Sequence, residues 1–184
     1  MRENSFLRCF AFVFATIGCG LAVVSCGGGP GPEVVVGEGS RYENGTGGSQ
    51  RLGLPDGSRI LIGPGTVIVL AKGFGKDNRG LDLDGEAMFE VKPAAAAPFI
   101  VHTGNLQIEV MGTRFRVDAV RKRAGEEVDL LEGSLRVTKS YHSDTDNEPE
   151  VLSAGEMVMI NREIDLMEKE KMSAEEIGKA KAKF

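Results

Sequence analysis

Four acids, Asp82, Asp84, Glu86 and Glu90, crowd into the stretch "LDLDGEAMFEV" (Leu81–Val91) on either side of Gly85. Carboxylates at this density are what a cation site or a pair of acid–base catalysts would need. A calcium loop of the EF-hand type requires oxygen ligands at positions 1, 3 and 5, a glycine at 6 and a bidentate Glu at 12. Counted from Asp82, the sixth position is Ala87 and the twelfth is Pro93, so the loop fails at its two most diagnostic places. The two histidines add little. His102 lies in an apolar alternating run and His142 in a polar one, and the sequence contains neither HExxH nor GxSxG. The expectation is no catalytic residue, no metal and no cofactor.

The apolar residues around these acids carry a different message. Leu81 and Leu83 alternate with Asp82 and Asp84, and Ala87, Phe89 and Val91 alternate with Met88 and Glu90. Period 2 is the signature of half-buried strands, with the acids on the solvated face. Gly85 then reads as the bend between two strands. The same texture runs from Arg51 to about Ile160, through "RILI", "TVIVL", "PFIVHT", "NLQIEVM", "TRFRVDAV", "EEVDLLE", "SLRVTKS" and "EMVMI". Glycine-containing turn signals separate these runs. The fold class is therefore all-β: a compact β-solenoid-like or two-sheet domain of short, glycine-punctuated strands. "KPAAAAPF" reads as a loop or a single helical turn, and "RKRAGEE" and "SYHSDTDNEPE" as polar loops. After Asn161 the composition turns helical. Ser173 and Glu176 match a capping box, and Ile177, Ala180 and Phe184 share one thin apolar face of a short C-terminal helix.

The first residues read as targeting rather than structure. Arg2 and Arg8 precede or open the uncharged run "CFAFVFATIGCGLAVV", which is shorter than a membrane-spanning helix needs. "VVSC" (Val23–Cys26) follows, and it resembles the bacterial lipoprotein signal, with Ser25 as the small residue and Cys26 as the lipidated acceptor. The organisation expected is a signal peptide over 1–25, a flexible Gly/Pro-rich tether over 26–50, a β domain over 51–160 and a helical tail over 161–184. All three cysteines lie at or before Cys26, so the mature body holds no disulfide, thiol nucleophile or cysteine-bound metal. Asn44-Gly45-Thr46 matches a glycosylation sequon, which carries little weight in a bacterial lipoprotein. The formal charge is −5, and removal of Arg2, Glu3 and Arg8 makes it one unit more negative. That balance argues against nucleic acid or anionic lipid as a partner.

Five motifs then occur in order: "LPDGSRILIGPGT" (Leu54–Thr66), "RGLDLDGEAMFEV" (Arg79–Val91), "PFIVHTGNLQIEVMGTRFRV" (Pro98–Val117), "LEGSLRV" (Leu131–Val137) and "LSAGEMVMI" (Leu152–Ile160). Together they resemble the FecR domain family. The residues that carry the resemblance are Pro55, Asp56, Gly57 and Ser58; Gly85, Glu86, Phe89 and Val91; Pro98 and Phe99; Gly112, Thr113, Phe115 and Val117; Glu132 and Gly133; and Gly155. They are expected to build the fold. Phe89, Val91, Phe115 and Val117 should face the core, Glu86 should accept hydrogen bonds near the bend, and Pro98-Phe99 should start a strand. Truncation of a buried Phe89, Phe99 or Phe115 to alanine should cost about 3–5 kcal/mol.

The resemblance implies signal relay on the periplasmic side of the envelope. Such domains receive a signal from a TonB-dependent transducer and pass it to an extracytoplasmic-function sigma factor. Two departures are expected to matter. Few residues precede the apolar segment, so no cytoplasmic anti-sigma region is expected, and the tail after Ile160 is short. The functional expectation is a non-enzymatic, membrane-anchored lipoprotein, in the inner or outer membrane, that binds another envelope protein. The signalling domain of a TonB-dependent receptor or an anti-sigma protein is the favoured partner, and β-augmentation at a sheet edge a suitable mode. The alternatives are an envelope-glycan or small-ligand module, which the absence of Trp and the presence of only two Tyr weaken, and a structural envelope role.

Overall fold

The computed structural model describes residues 33–94 and 97–182. The proposed signal, Cys9, Cys19 and Cys26 lie outside the described residues. The strands are β1 (Val34–Val35), β2 (Arg41–Glu43), β3 (Gln50–Gly53), β4 (Arg59–Ile62), β5 (Val67–Leu70), β6 (Gly80–Glu90), β7 (Phe99–His102), β8 (Leu106–Val110), β9 (Arg114–Ala119), β10 (Gly125–Glu132), β11 (Ser134–Lys139), β12 (Glu150–Ser153), β13 (Glu156–Asn161) and β14 (Leu166–Lys171). One helix, α1 (Ala174–Ala182), follows. Fold class is thus all-β with a short C-terminal helix.

The strands form one continuous 14-stranded sheet that doubles into two layers through β6. The first layer runs β1-β3-β4-β6-β9-β10-β13-β14. The second runs β2-β5-β6-β7-β8-β11-β12. This is the two-sheet form of the expected fold, nearly closed like a barrel. The alternation read in the sequence puts Leu52, Ile60, Phe89, Phe115 and Val117 on the inner face of the first layer. It puts Ile68, Leu83, Phe99, Val101 and Ile108 on the inner face of the second. Phe89 stacks on Phe115 at 4.7 Å and meets Phe99 edge-on at 6.1 Å, which ties the two layers.

Gly85 is not a turn between two strands. The stretch is one 11-residue strand whose N-terminal half pairs with β5 and β7 and whose C-terminal half pairs with β4 and β9. Gly85 is the crossing point between layers. Its φ is +127°, and a Cβ there would lie 2.5 Å from the Thr66 hydroxyl, so neither the backbone nor the space admits a side chain. Thr66, fully buried, accepts from the Glu86 N–H at 3.1 Å and donates to the Glu86 carbonyl at 2.9 Å, which bridges the change of pairing partner.

Two expected boundaries move. The tether expected over 26–50 gives way to strands by Val34, because β1 pairs in parallel with β3 and β2 pairs with β5. Asn44 is fully buried there and donates to the carbonyls of Gly48 and Gly63, so its sequon is not a surface acceptor. The tail is not purely helical: "LMEKEK" forms β14 against β13. Helix α1 begins with the expected capping box, in which the Ser173 N–H donates to Glu176 at 2.7 Å and the Glu176 N–H to Ser173 Oγ at 3.3 Å. It docks on its own domain. Ala180 and Ile177 pack on the outer face of the first layer, over Met88, Leu131 and Met172. A bulge at Leu131, between the pairs Leu130↔Phe115 and Glu132↔Arg114, supplies the extra outward apolar side chain this contact uses.

Candidate functional site

The four acids of the opening stretch do not converge. All face outward, but Asp82 and Asp84 belong to the second layer and Glu86 and Glu90 to the first. Asp84 pairs with Arg121 at 3.4 Å, Glu86 with Arg116 at 3.0 Å and Glu90 with Arg59 at 3.3 Å. Asp82 stands between Val69 and His102 in a cross-strand row. Among the described residues no group of His, Cys, Asp and Glu is arranged to hold a metal ion. Glu86 therefore accepts from an arginine across the sheet, rather than serving a bend.

The family-motif residues gather instead into two adjoining knots of loops. In the first, the Pro55–Ser58 turn joins β3 to β4, with Gly57 at φ +83° and the Ser58 N–H donating to Asp56 at 2.9 Å. Arg79, just before β6, reaches into it. Its Nε donates to Asp56 at 2.9 Å, Nη2 to the Lys92 carbonyl at 2.7 Å and Nη1 to the Ala97 carbonyl at 3.3 Å. The guanidinium lies 5.4 Å from the Phe99 ring centre, beside Pro98 where β7 begins. Both side chains of this ion pair are nearly sealed, 6% and 7% exposed.

The second knot starts from the next residue of the same loop. Pro93 fills the space beside Gly112, where a Cβ would come within 2.7 Å of its ring. Thr113 donates to the Ser134 carbonyl at 3.0 Å, Gly133 turns at φ +93°, and Glu132 pairs with Arg114 at 3.1 Å. Gly155, at φ +87°, donates to the Leu130 carbonyl at 2.8 Å and accepts from the Met172 N–H at 2.9 Å, which ties the β12–β13 turn to the entry of α1. Phe89, Phe115 and Val117 are fully buried and Val91 nearly so. These residues hold loops and core together.

Two polar assemblies escaped the sequence reading. On the outer face of the first layer Arg116, 14% exposed, donates to Glu86 at 3.0 Å, Glu127 at 2.6 Å, Asp129 at 2.9 Å and Asp118 at 3.3 Å. Burial alone would lower the Arg116 pKa, but the hydrogen bonds to Asp129, Glu86 and Glu127 outweigh it and hold the guanidinium charged. Burial pushes the Asp129 carboxyl up against the pull of Arg116, and neighbouring Glu127 adds to the rise.

The second assembly locks the β13–β14 turn. Lys139 Nζ donates to Ser143 Oγ at 2.8 Å and to Asp165 at 3.3 Å, Ser143 Oγ donates to Asp165 at 2.8 Å, and Tyr141 donates to Asp165 at 3.1 Å. A serine beside a lysine invites a nucleophile reading. Here the lysine, 3% exposed, is paired with a carboxylate, and the serine is equally sealed. The set is a clamp. Its serine hydrogen bond, with those from Lys139 and Tyr141, holds the Asp165 carboxyl well below the usual range. Spacing gave no signal for either assembly, since the partners lie up to 30 residues apart.

Beside this turn lies a groove of about 460 Å³ whose lining includes Asp118, Glu127, Met159, Ile164, Leu166 and Glu168. It differs from the knots in being open, and Met159, Ile164 and Leu166 in its lining are exposed, while Ile160 at its base is buried.

The chain is thus an all-β, two-layer domain that holds its loops by buried knots and carries a groove beside the β13–β14 turn. The sequence matches the family described as FecR protein over residues 40–162, and the chain belongs to that family. Two crystal structures of a candidate anti-sigma factor from Parabacteroides distasonis, at 2.50 and 1.65 Å resolution, share the fold with TM-scores of 0.67 and 24% identity. The match covers 76% of this chain and 62% and 63% of those chains, so this chain matches a little under two thirds of their length. None of the curated proteins matches the sequence.

Proposed function

We propose that this protein is a non-enzymatic lipoprotein of the bacterial envelope, anchored through Cys26 on the periplasmic side, that works in cell-surface signalling by binding another envelope protein. The observation that carries the reading is the FecR match across residues 40–162, which spans strands β2 to β13 of the two-layer body. The fold shared with a candidate anti-sigma factor supports the same reading. The favoured partner is the signalling domain of a TonB-dependent receptor or an anti-sigma protein. The side chains support binding over catalysis: the Ser143–Lys139 pair is a sealed clamp, and Asp84, Glu86 and Glu90 are tied to arginines. A glycan site would stack sugar on free aromatic faces. Tyr42 instead donates to Gln50, and Tyr141 is held by Asp165 with Arg162 5.0 Å from its ring centre.

The test is capture of the full-length protein from crosslinked intact cells, with Cys26→Ala as the unanchored control and partners identified by mass spectrometry. Enrichment of a TonB-dependent receptor or an anti-sigma protein, lost in the control, is the expected result. Recovery of only cell-wall or lipoprotein-sorting components would overturn the signalling role.

A further inference from the structure

The β13–β14 hairpin shows an arrangement that folding alone does not explain. Ile164, Leu166 and Met159 are 65%, 41% and 37% exposed on one side of it. Apolar side chains clustered in the open gain nothing from burial, and such patches mark contact surfaces when polar residues rim them. Asp118, Glu127 and Glu168 rim this one.

The hairpin is also held rigid at the point where it turns. Asp165 adopts φ +50°, the left-handed region that glycine enters freely and Asp and Asn more readily than other side chains. Its carboxylate collects hydrogen bonds from Lys139, Tyr141, Ser143 and the Asp144 N–H, and its carbonyl accepts from Thr145. The loop between β11 and β12 is thereby spent on fixing the neighbours of Ile164 and Leu166. A rigid apolar surface loses less entropy when something covers it.

Charge selects the occupant. On the outer face of the first layer Arg59 and Arg114 pair with Glu90 and Glu132, while nearer the groove Arg116 and Arg123 answer Glu86, Asp118, Glu127, Asp129 and Glu168. The surplus is negative. It repels phosphate-bearing ligands and anionic lipid surfaces, and it attracts cations. Beyond the groove β14 pairs with β13 on one side and with no strand on the other, among the described residues, so the way in is open.

We propose that the groove at the β13–β14 hairpin is a docking surface for a segment of a partner protein that mixes basic and apolar side chains. The apolar residues of that segment cover Met159, Ile164 and Leu166, and its basic residues meet Glu168 and Glu127. The inference rests on the protein-binding role proposed above and names its surface and the chemistry of the partner.

The experiment places a photo-crosslinking amino acid at position 164 of the full-length protein in cells, with Val35 and Val151, also exposed apolar positions, as controls. The crosslinked partner segment is then sequenced. The expected result is an adduct from position 164 alone, on a segment with net positive charge and interspersed apolar residues, and a roughly tenfold loss of adduct with Glu168→Lys. Thermal unfolding of Glu168→Lys checks that the variant folds as the parent does. Equal adducts at 164 and the controls, an acidic or uncharged segment, adducts only between copies of this chain, or no response to Glu168→Lys would overturn the proposal. The two readings fail separately. A partner with no signalling role, crosslinked at 164, would sink the signalling reading and keep the surface. A signalling partner crosslinked only at the controls would do the reverse.

Discussion

Replacing Arg79 with alanine should be among the most destabilising single changes in this protein. The guanidinium is the only cation on Asp56 among the described ion pairs, and both groups are buried. Removing one member of a buried pair leaves the other charged and desolvated, which costs about 3–5 kcal/mol. The Lys92 and Ala97 carbonyls lose their donors in the same step, and Phe99 loses a cation at 5.4 Å. For a body of this size that loss corresponds to a fall of roughly 6–20 °C in melting temperature. Arg79→Lys should recover only part of it, since an ammonium cannot span three acceptors in a fixed fork. Urea unfolding of the purified protein reads the effect as a lower midpoint at unchanged slope. The double variant with Asp56→Ala should lose less than the two single losses added, because the charge left stranded by one change is removed by the other. A loss below about 1 kcal/mol for Arg79→Ala, with the two changes strictly additive, would refute the idea that this pair holds the motif loops together.

Gly85→Ala should cost more than about 2 kcal/mol, because it combines a disfavoured φ with a clash on Thr66, and pairing it with Thr66→Ser should restore little; calorimetric melting temperatures check both. Glu126 gives a pH test. Burial is the largest influence on its carboxyl and raises its pKa, so the folded protein holds this proton to higher pH than the unfolded chain does. Its contribution is fully present at and below the ordinary carboxylate range and is lost as pH rises through the folded value. Glu126→Gln should therefore flatten the stability profile as pH rises above about 4.5, and an unchanged slope would contradict this. Phe89→Ala should lose about 3–5 kcal/mol in urea unfolding, since the ring is fully buried and touches both layers through Phe115 and Phe99.

The all-β texture was legible because apolar residues alternate strictly where one face is buried, as in "FIVH" and "LQIEV". The motifs were legible because turns demand particular residues, as in Pro55–Ser58. What could not be read follows from pairing at a distance. Gly85 interrupts a strand in a way identical, in sequence, to a turn; only its partners on either side, β5 and then β4, show that the chain passes straight through. Strand β14 was hidden because "LMEKEK" is mostly polar and exposed, so the alternation that marks the other strands is missing. Strands β1 and β2 have two and three residues, too few to show a period, and stand only because β3 and β5 accept them. Arg116 and Asp165 were silent for the same reason, since their partners come from other strands and loops. The groove of the β13–β14 hairpin belongs to this hidden part of the chain.

The central claim, that this FecR-family chain relays a signal through protein contact, is tested most directly by transcription. Cells lacking the protein, and cells carrying the full-length chain, Cys26→Ala or Glu168→Lys in its place, would be compared by RNA sequencing. The account predicts that loss of the protein shifts one set of genes under an extracytoplasmic-function sigma factor, that the full-length chain restores it, and that neither variant does. A transcriptome unchanged by loss of the protein, or one restored equally by the unanchored chain, would contradict it.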